Sequence, residues 1–198
     1  MLNTLSTAQI HAITLWYLLQ HSLSSFYKIS QHYADLAHAI DGSQTETWRK
    51  LGIHKNHIQR LQDFQSSESQ LHFQRSLEQI QLHSDFVLLH TDAEYPQQLS
   101  HYAHKPPILF GQGHADQLLQ PQIAIVGSRK PSLHGRQVAY DFAFYLSEQG
   151  FYINSGLAQG IDEAAHQAAL QHRRTIAVMG TGIEQTYPAA HQTLRQQI

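Results

Sequence analysis

The sequence predicts a mixed α/β protein, a small helical domain followed by a doubly wound domain on a parallel sheet. Three observations carry this. Ile123, Ile125 and Val126 form a short apolar run closed by Gly127, and Phe151, Tyr152 and Ile153 form a second closed by Ser155 and Gly156. A helix-like stretch fills the interval between them, so that residues 122 to 166 read as strand, glycine turn, helix, strand, glycine turn, helix. Short continuous apolar runs mark strands buried on both faces, and a helical crossover between two of them makes the pair parallel. Ligands in such folds sit at the carboxyl ends of the strands, which brings Gly127-Ser128-Arg129 and the segment from Ser155 to Asp162 to one shared site.

Residues 1 to 84 are predicted helical with short connections. Ile10, Ile13, Trp16 and Tyr17 recur at helical spacing, and Leu19 extends the stripe where Gln20 would interrupt it. Ser24 or Ser25 is expected to cap a helix carrying Phe26 and Ile29, after a turn at Ser22-Leu23-Ser24. Further helices are expected at 34–40, 45–51, 55–64 and 69–83, punctuated by Asp41-Gly42 and Gly52. A bundle of short helices can serve DNA, protein contacts or a cap. Helix-hairpin DNA modules present backbone N–H groups from a glycine-rich turn, and this turn has no glycine, which favours a structural or partner-binding role.

Composition narrows the function classes. The 198 residues carry 13 Lys and Arg against 15 Asp and Glu, a formal charge of -2 with 16 His neutral, so total charge would not hold the protein on a polyanion. A local basic pocket is still allowed. From Lys105 onward seven basic residues face six acidic ones, against six and nine before it. The histidines are dispersed, which predicts no metal site, and with no cysteine there is no disulfide or thiolate chemistry. No apolar run approaches the roughly 20 residues that span a bilayer. The N-terminus lacks the pattern of a secretory leader. The expected location is cytoplasmic.

Phe86 to His90 reads as a strand, Tyr95-Pro96 as a turn, and Ile108 to Phe110 as a second strand before Gly111 and Gly113. These apolar residues need a common surface, and the expected one belongs to the following α/β domain. After the strand ending at Val126, Gly127 permits a close turn, Ser128 offers a hydroxyl and an N–H, and the Arg129 guanidinium suits two phosphate oxygens at once. Lys130 adds charge, and Ser132 is placed to cap the next helix, whose Val138, Phe142 and Leu146 form the expected buried stripe. Arg129 either binds an anion or is used internally, on a carbonyl or on Asp162.

In the second turn Gly156 and Gly160 allow close backbone approach and Ser155 can bond a phosphate. Asp162 and Glu163 sit at the start of the next helix, where negative side chains complement the dipole and make poor phosphate ligands. Asp162 is therefore expected to organise the loop, with His166 one helical turn beyond it donating to its carboxylate or reaching ligand. A third strand, Thr175 to Met179, leads into Gly180-Thr181-Gly182, which can complete the floor of the site. Tyr187 either stacks on a base or packs. Neither glycine turn matches the dinucleotide GxGxxG pattern or the GxxxxGK[ST] phosphate loop, and no nucleophile accompanies Asp162 and His166. The visible chemistry is binding chemistry: no catalytic residue, cofactor or metal is expected.

Tyr95-Pro96, Pro106-Pro107 with Leu109-Phe110 and Gly113, Ile123 to Arg129 as IAIVGSR, Ser155 to Asp162 as SGLAQGID with Ala165-His166, and Thr175 to Gly182 leading into Tyr187-Pro188 together resemble the DNA-processing protein A family, DprA/Smf. The resemblance covers residues 86 to 198. It implies a helical, SAM-like domain at 1–84 and an extended Rossmann-like DNA-binding domain at 85–198 whose sheet is incomplete, its C-terminal part missing. It implies a protein that protects incoming single-stranded DNA, helps load a RecA-type recombinase during natural transformation, and forms a homodimer where the fold is complete. Carried onto this sequence, Gly127, Ser128, Arg129 and Lys130, with Ser155, Gly156 and Gly160, are the DNA-binding candidates, and Asp162, His166, Gly180, Thr181 and Gly182 organise the loops. Two alternatives stay open. One is a nucleotide-phosphate hydrolase using Asp162, His166 or Glu184. The other is an interaction module without DNA binding.

Overall fold

In the computed structural model, which describes residues 4–198, Ser6 opens helix α1 (Thr7–Leu18). Its hydroxyl accepts the Gln9 N–H, and Gln9 Oε1 accepts the Ser6 N–H at 2.8 Å, a reciprocal cap for two otherwise unpaired donors. Ala12, Ile13, Leu15, Leu18 and Leu19 are buried, with the expected Ile10, Trp16 and Tyr17 at the margin of that core. Because Leu18 and Leu19 must both stay inside, the chain reverses immediately after them. Gln20 and His21 do so in left-handed conformation (φ 47° and 62°), two residues before the expected turn. Ser22, not Ser24 or Ser25, is the residue that precedes α2 (Leu23–His32).

Four more helices follow, α3 (Leu36–Ala39), α4 (Thr45–Lys50), α5 (Lys55–Asp63) and α6 (Ser67–His83). Trp48 is fully buried, and its indole N–H donates to the Ala39 carbonyl at 3.0 Å, so the largest core side chain has its one polar atom satisfied. Strand β1 (Phe86–Leu89), a turn of helix α7 (Gln97–Ser100) and strand β2 (Ile108–Gly111) come next, and β1 pairs antiparallel with β2, Phe86 opposite Gly111. A Cβ on Gly111 would fall 2.0 Å from the Phe86 ring, so the glycine is what lets that ring cover the strand. Val87, Leu89 and Ile108 join the helical core, and Gln9 Nε2 donates to the Val87 carbonyl at 2.7 Å. The common surface these strands need is thus supplied by the helices of the first unit. Contacts divide the chain into Met1–Ala115 and Asp116–Ile198, later than the expected 84/85.

The second unit holds β3 (Gln122–Ala124), α8 (Leu133–Glu148), β4 (Tyr152–Ser155), α9 (Ile161–Ala169), β5 (Thr175–Ala177) and α10 (Gln192–Gln197). The three strands form one parallel sheet in the order β3-β4-β5, with Ile123 beside Ile153 and Ile153 beside Thr175. Formal strands stop short of Val126 and Met179, yet Ile125 N–H still donates to Asn154 and Val178 N–H to Ser155, so the ladder runs on into the turns.

Helix α8 is where sequence and structure part most clearly. Its buried positions are Ala139, Ala143 and Ser147, while Phe142 is 61% exposed and Val138 38%. Ala143 meets Ala165, Ala168 and Ala169 in the core below Ile153. Small residues let α8 and α9 approach closely, and close packing selects the alanine stripe over the larger one a position away. Val138, Phe142 and Leu146 instead line an open apolar groove of about 490 Å³ with Ile123 and Val126. Among the described residues no helix is long and apolar enough to cross a membrane.

This packing inverts the cost the bare hydrophobic pattern suggests. Ala143→Leu overfills the helix interface and should lower unfolding free energy by about 1–3 kcal/mol. Phe142→Ser should change it by no more than about 0.5 kcal/mol. Denaturant unfolding of the two variants checks the order.

Candidate nucleic-acid interface

The two glycine turns meet on one carboxylate. Asp162, 5% exposed, is the second residue of α9. Its Oδ2 accepts the Gly156 N–H at 2.9 Å and its Oδ1 accepts the Gly127 N–H at 3.3 Å. A buried charge is tolerable here because two N–H groups and the helix N-terminus face it. Ser155 Oγ adds a 2.5 Å bond to the Ile125 carbonyl, and the Ile161 N–H donates to the Ser128 carbonyl at 3.2 Å. Each of the two turns is therefore held to the other by side-chain and main-chain bonds.

Glycine is required where the turns cross. Gly160 has φ +89°, and a Cβ there would lie 2.4 Å from the Ser128 carbonyl oxygen. A Cβ on Gly127 would lie 2.8 Å from Ile161. No side chain of ordinary size fits either point without moving one turn off the other.

What this assembly presents outward is the first turn. Gly127, Ser128, Arg129 and Lys130 are all exposed. The hydroxyl of Ser128 accepts the Lys130 N–H at 3.1 Å, which closes the loop, and Ser132 caps α8 by accepting the Gly135 N–H at 3.0 Å. Among the described residues the N–H groups of Ser128 and Arg129 make no hydrogen bond and the Arg129 guanidinium no ion pair. Asp162 is already engaged by backbone, so the internal pairing of Arg129 with Asp162 does not form. Free N–H groups and a free guanidinium on this turn, just ahead of the α8 N-terminus, are donors of the kind that suit an anion.

Other expected site residues lie elsewhere. Ser155 is 2% exposed and its hydroxyl is spent inside. Gly156 is exposed beside the first turn, whereas Gly160 is buried beneath it. His166 is fully buried and bonds neither to the Asp162 carboxylate nor toward solvent. Its Nδ1 lies 2.6 Å from Thr175 Oγ1, which itself donates to the Ile153 carbonyl, so His166 fastens α9 to β5 and Nδ1 carries the proton. The reason is the helical offset: Asp162 turns toward the strand ends while His166 meets the body of the sheet. Burial pushes its pKa down to about 4, against the opposing pull of Asp162. Gly180 and Gly182 stand in open space, and Thr181 Oγ1 donates to the Gln185 carbonyl. Tyr187 is 64% exposed.

Two residues of this region escape a reading by motif. Arg136 pairs with Glu163, Nη2 to Oε1 at 3.2 Å, and His191 Nδ1 bonds the Leu157 carbonyl at 2.8 Å, where Leu157 holds φ +60°. The signal for Arg136 was its place one turn after the Ser132 cap. For His191, far off in sequence, there was none.

The model of the family described as DNA recombination-mediator protein A matches residues 86–198. Protein Smf of Synechocystis sp. is 32% identical over 176 residues, which is 86% of this chain and 44% of that protein. DNA processing protein DprA of Streptococcus pneumoniae is 44% identical over 105 residues, 52% of this chain and 37% of that protein. The X-ray structure of DNA processing protein A from Streptococcus pneumoniae is similar at a TM-score of 0.72 and 27% identity, over 99% of this chain and 64% of that one. The chain spans less than half the length of these two curated relatives.

Two outcomes check the site's architecture. Asp162→Ala strands two backbone donors and should lower unfolding free energy by about 2–3 kcal/mol, read by denaturant unfolding. For His166 the folded pKa lies below the ordinary value near 6.5. The unfolded chain therefore takes up the proton first, and stability present above about pH 6.5 is lost as pH falls toward 4, by roughly 3 kcal/mol in all. His57 and His90 are lowered too, so the contribution is the part of the pH slope that His166→Asn removes.

Proposed function

The chain belongs to the DNA recombination-mediator protein A family, and from that premise we propose that it binds single-stranded DNA through the phosphates and performs no chemistry on it. The observation that carries the proposal is the exposed Arg129, without an ion pair, beside the free N–H groups of Ser128 and Arg129, on a turn that Asp162 pins in place. Phosphate contacts fix a strand's path without reading its bases. Gly127 and Gly156 keep the approach to these groups open, and Lys130 supplies a second positive charge at the same edge. With a formal charge of -2 for the whole chain, attraction is local to this turn and is expected to fall steeply with salt.

A binding role also suits the groups that might otherwise serve catalysis. Both Asp162 oxygens hold backbone N–H groups and His166 is enclosed against Thr175. Neither is presented to a substrate as a general base, a role that needs hydrogen-bond reach of the proton removed. Glu184 is exposed, on a turn of its own between Gly182 and Gln185.

The family supports a wider proposal for the protein's role. The chain shields incoming single strands and assists their transfer to a RecA-type recombinase in natural transformation, acting as a homodimer in the cytoplasm. The partner that bears on the present geometry is the strand itself.

Arg129→Ala should weaken binding of single-stranded oligonucleotides about tenfold whatever their sequence, and flatten the slope of log affinity against log salt by about 0.7. Fluorescence anisotropy over a salt series, with a duplex control, reads both. Equal affinity of the variant and the parent at low salt would remove Arg129 from the site.

A further inference from the structure

A strand inside a sheet is paired on both sides, and β3 is paired on one. In the order β3-β4-β5 its neighbour is β4. The Ile125 N–H donates to Asn154 and the Pro121 carbonyl accepts from Tyr152, so the odd-numbered residues spend their main-chain groups on β4. Strand alternation turns those of Gln122, Ala124 and Val126 to the open side, and among the described residues the Val126 N–H makes no hydrogen bond. From Gln122 to Val126 the sequence is QIAIV, with no charge or proline to blunt the edge.

The apolar groove runs along this same edge. Val138, Phe142 and Leu146 of α8 line it beside Ile123, Ile125 and Val126, and no residue in its lining is charged. Phe142 and Val126 are both more than half exposed. An occupant must offer main-chain donors and acceptors to β3 and apolar side chains to α8 at once. The same edge of a second copy offers both. A dyad normal to the sheet sets β3 against its own copy as an antiparallel pair and lays the two α8 helices side by side, the positive end of each beside the negative end of the other. Because a dyad brings equivalent residues together, a charge in the lining would meet its like, and a charge-free lining is what such a contact requires.

We infer that the open edge of β3 and the Val138-Phe142-Leu146 stripe of α8 form an isologous contact between two copies of this chain, which joins their parallel sheets into one. The inference gives the proposed homodimer its interface and is independent of strand binding. Antiparallel pairing sends the two Gly127 turns to opposite ends of the joined sheet, so each stays open. A contact built on one short strand and part of one helix is small, and its dissociation constant is expected at about 1–100 µM. Unfolding measured well below that concentration therefore reads the monomer alone.

Sedimentation velocity over a concentration series tests the contact in the full chain, Phe142→Ser, Ala124→Pro and a control, Leu82→Ser, on the exposed side of α6. The parent should pass from monomer to dimer with rising concentration. Phe142→Ser and Ala124→Pro should each weaken the dimer about tenfold or more, and Leu82→Ser should match the parent. Ala124→Pro removes an outward N–H, a change that an edge strand tolerates, and circular dichroism of the dilute variants checks their folding. Should either variant misfold, hydrogen exchange of the parent decides: the Ala124 and Val126 amides become protected as the dimer forms. A dimer that leaves these amides open, or that both folded variants retain, keeps the homodimer and overturns this interface. A parent still monomeric at about 1 mM, above the weakest constant expected, overturns both.

Discussion

One buried carboxylate ties the second unit together at the place where function is expected. Asp162 receives an N–H from the turn after β3 and another from the turn after β4, and so converts two neighbouring strand ends into a single rigid edge. The demand is strict, because a carboxylate this far from solvent is stable only if its lone pairs are met. Much of the local sequence follows from that demand. Gly127 and Gly160 keep Cβ atoms away from Ile161 and the Ser128 carbonyl, Ser155 spends its hydroxyl on Ile125, and Ile161 reaches back to Ser128. The outward result is a turn whose own amides and guanidinium are left for a ligand.

The packing beneath serves the same end. Alanines at 143, 165, 168 and 169 bring α8 and α9 together under Ile153, which fixes the N-terminus of α8 beside that of α9. His166 and Thr175 then lock α9 onto the sheet. An edge built this way would need little rearrangement to accept a phosphate, which would leave most of the binding free energy for affinity instead of ordering the loop. A chain with no net positive charge can still gather a few donor groups at one edge, which is all that the proposed local attraction requires.

The alternation of strand and helix, the strand positions and the joint location of the glycine turns were legible from residues 122 to 177, because short apolar runs and small-residue turns are local signals. The Ser132 cap was legible for the same reason. What the chain hides is choice among neighbours. Val138-Phe142-Leu146 and Ala139-Ala143-Ser147 are both regular stripes, and only the partner helix selects the second. The β1–β2 hairpin needed an apolar surface, but not its identity, and it found the helices through Val87, Leu89 and Ile108. His166 and Ser155 looked available for ligand because burial has no local signature. Arg136, Glu163 and His191 come together only through tertiary packing.

On the proposed function the two turns act as one phosphate-binding edge. Backbone amide NMR of the full chain, titrated with oligonucleotides of different sequence, tests it most directly. Ser128, Arg129 and Gly156 should respond together and to the same extent for every sequence, with the amides of the first unit unmoved. Responses that differ with base sequence, or that arise while Ser128 and Arg129 stay silent, would contradict it.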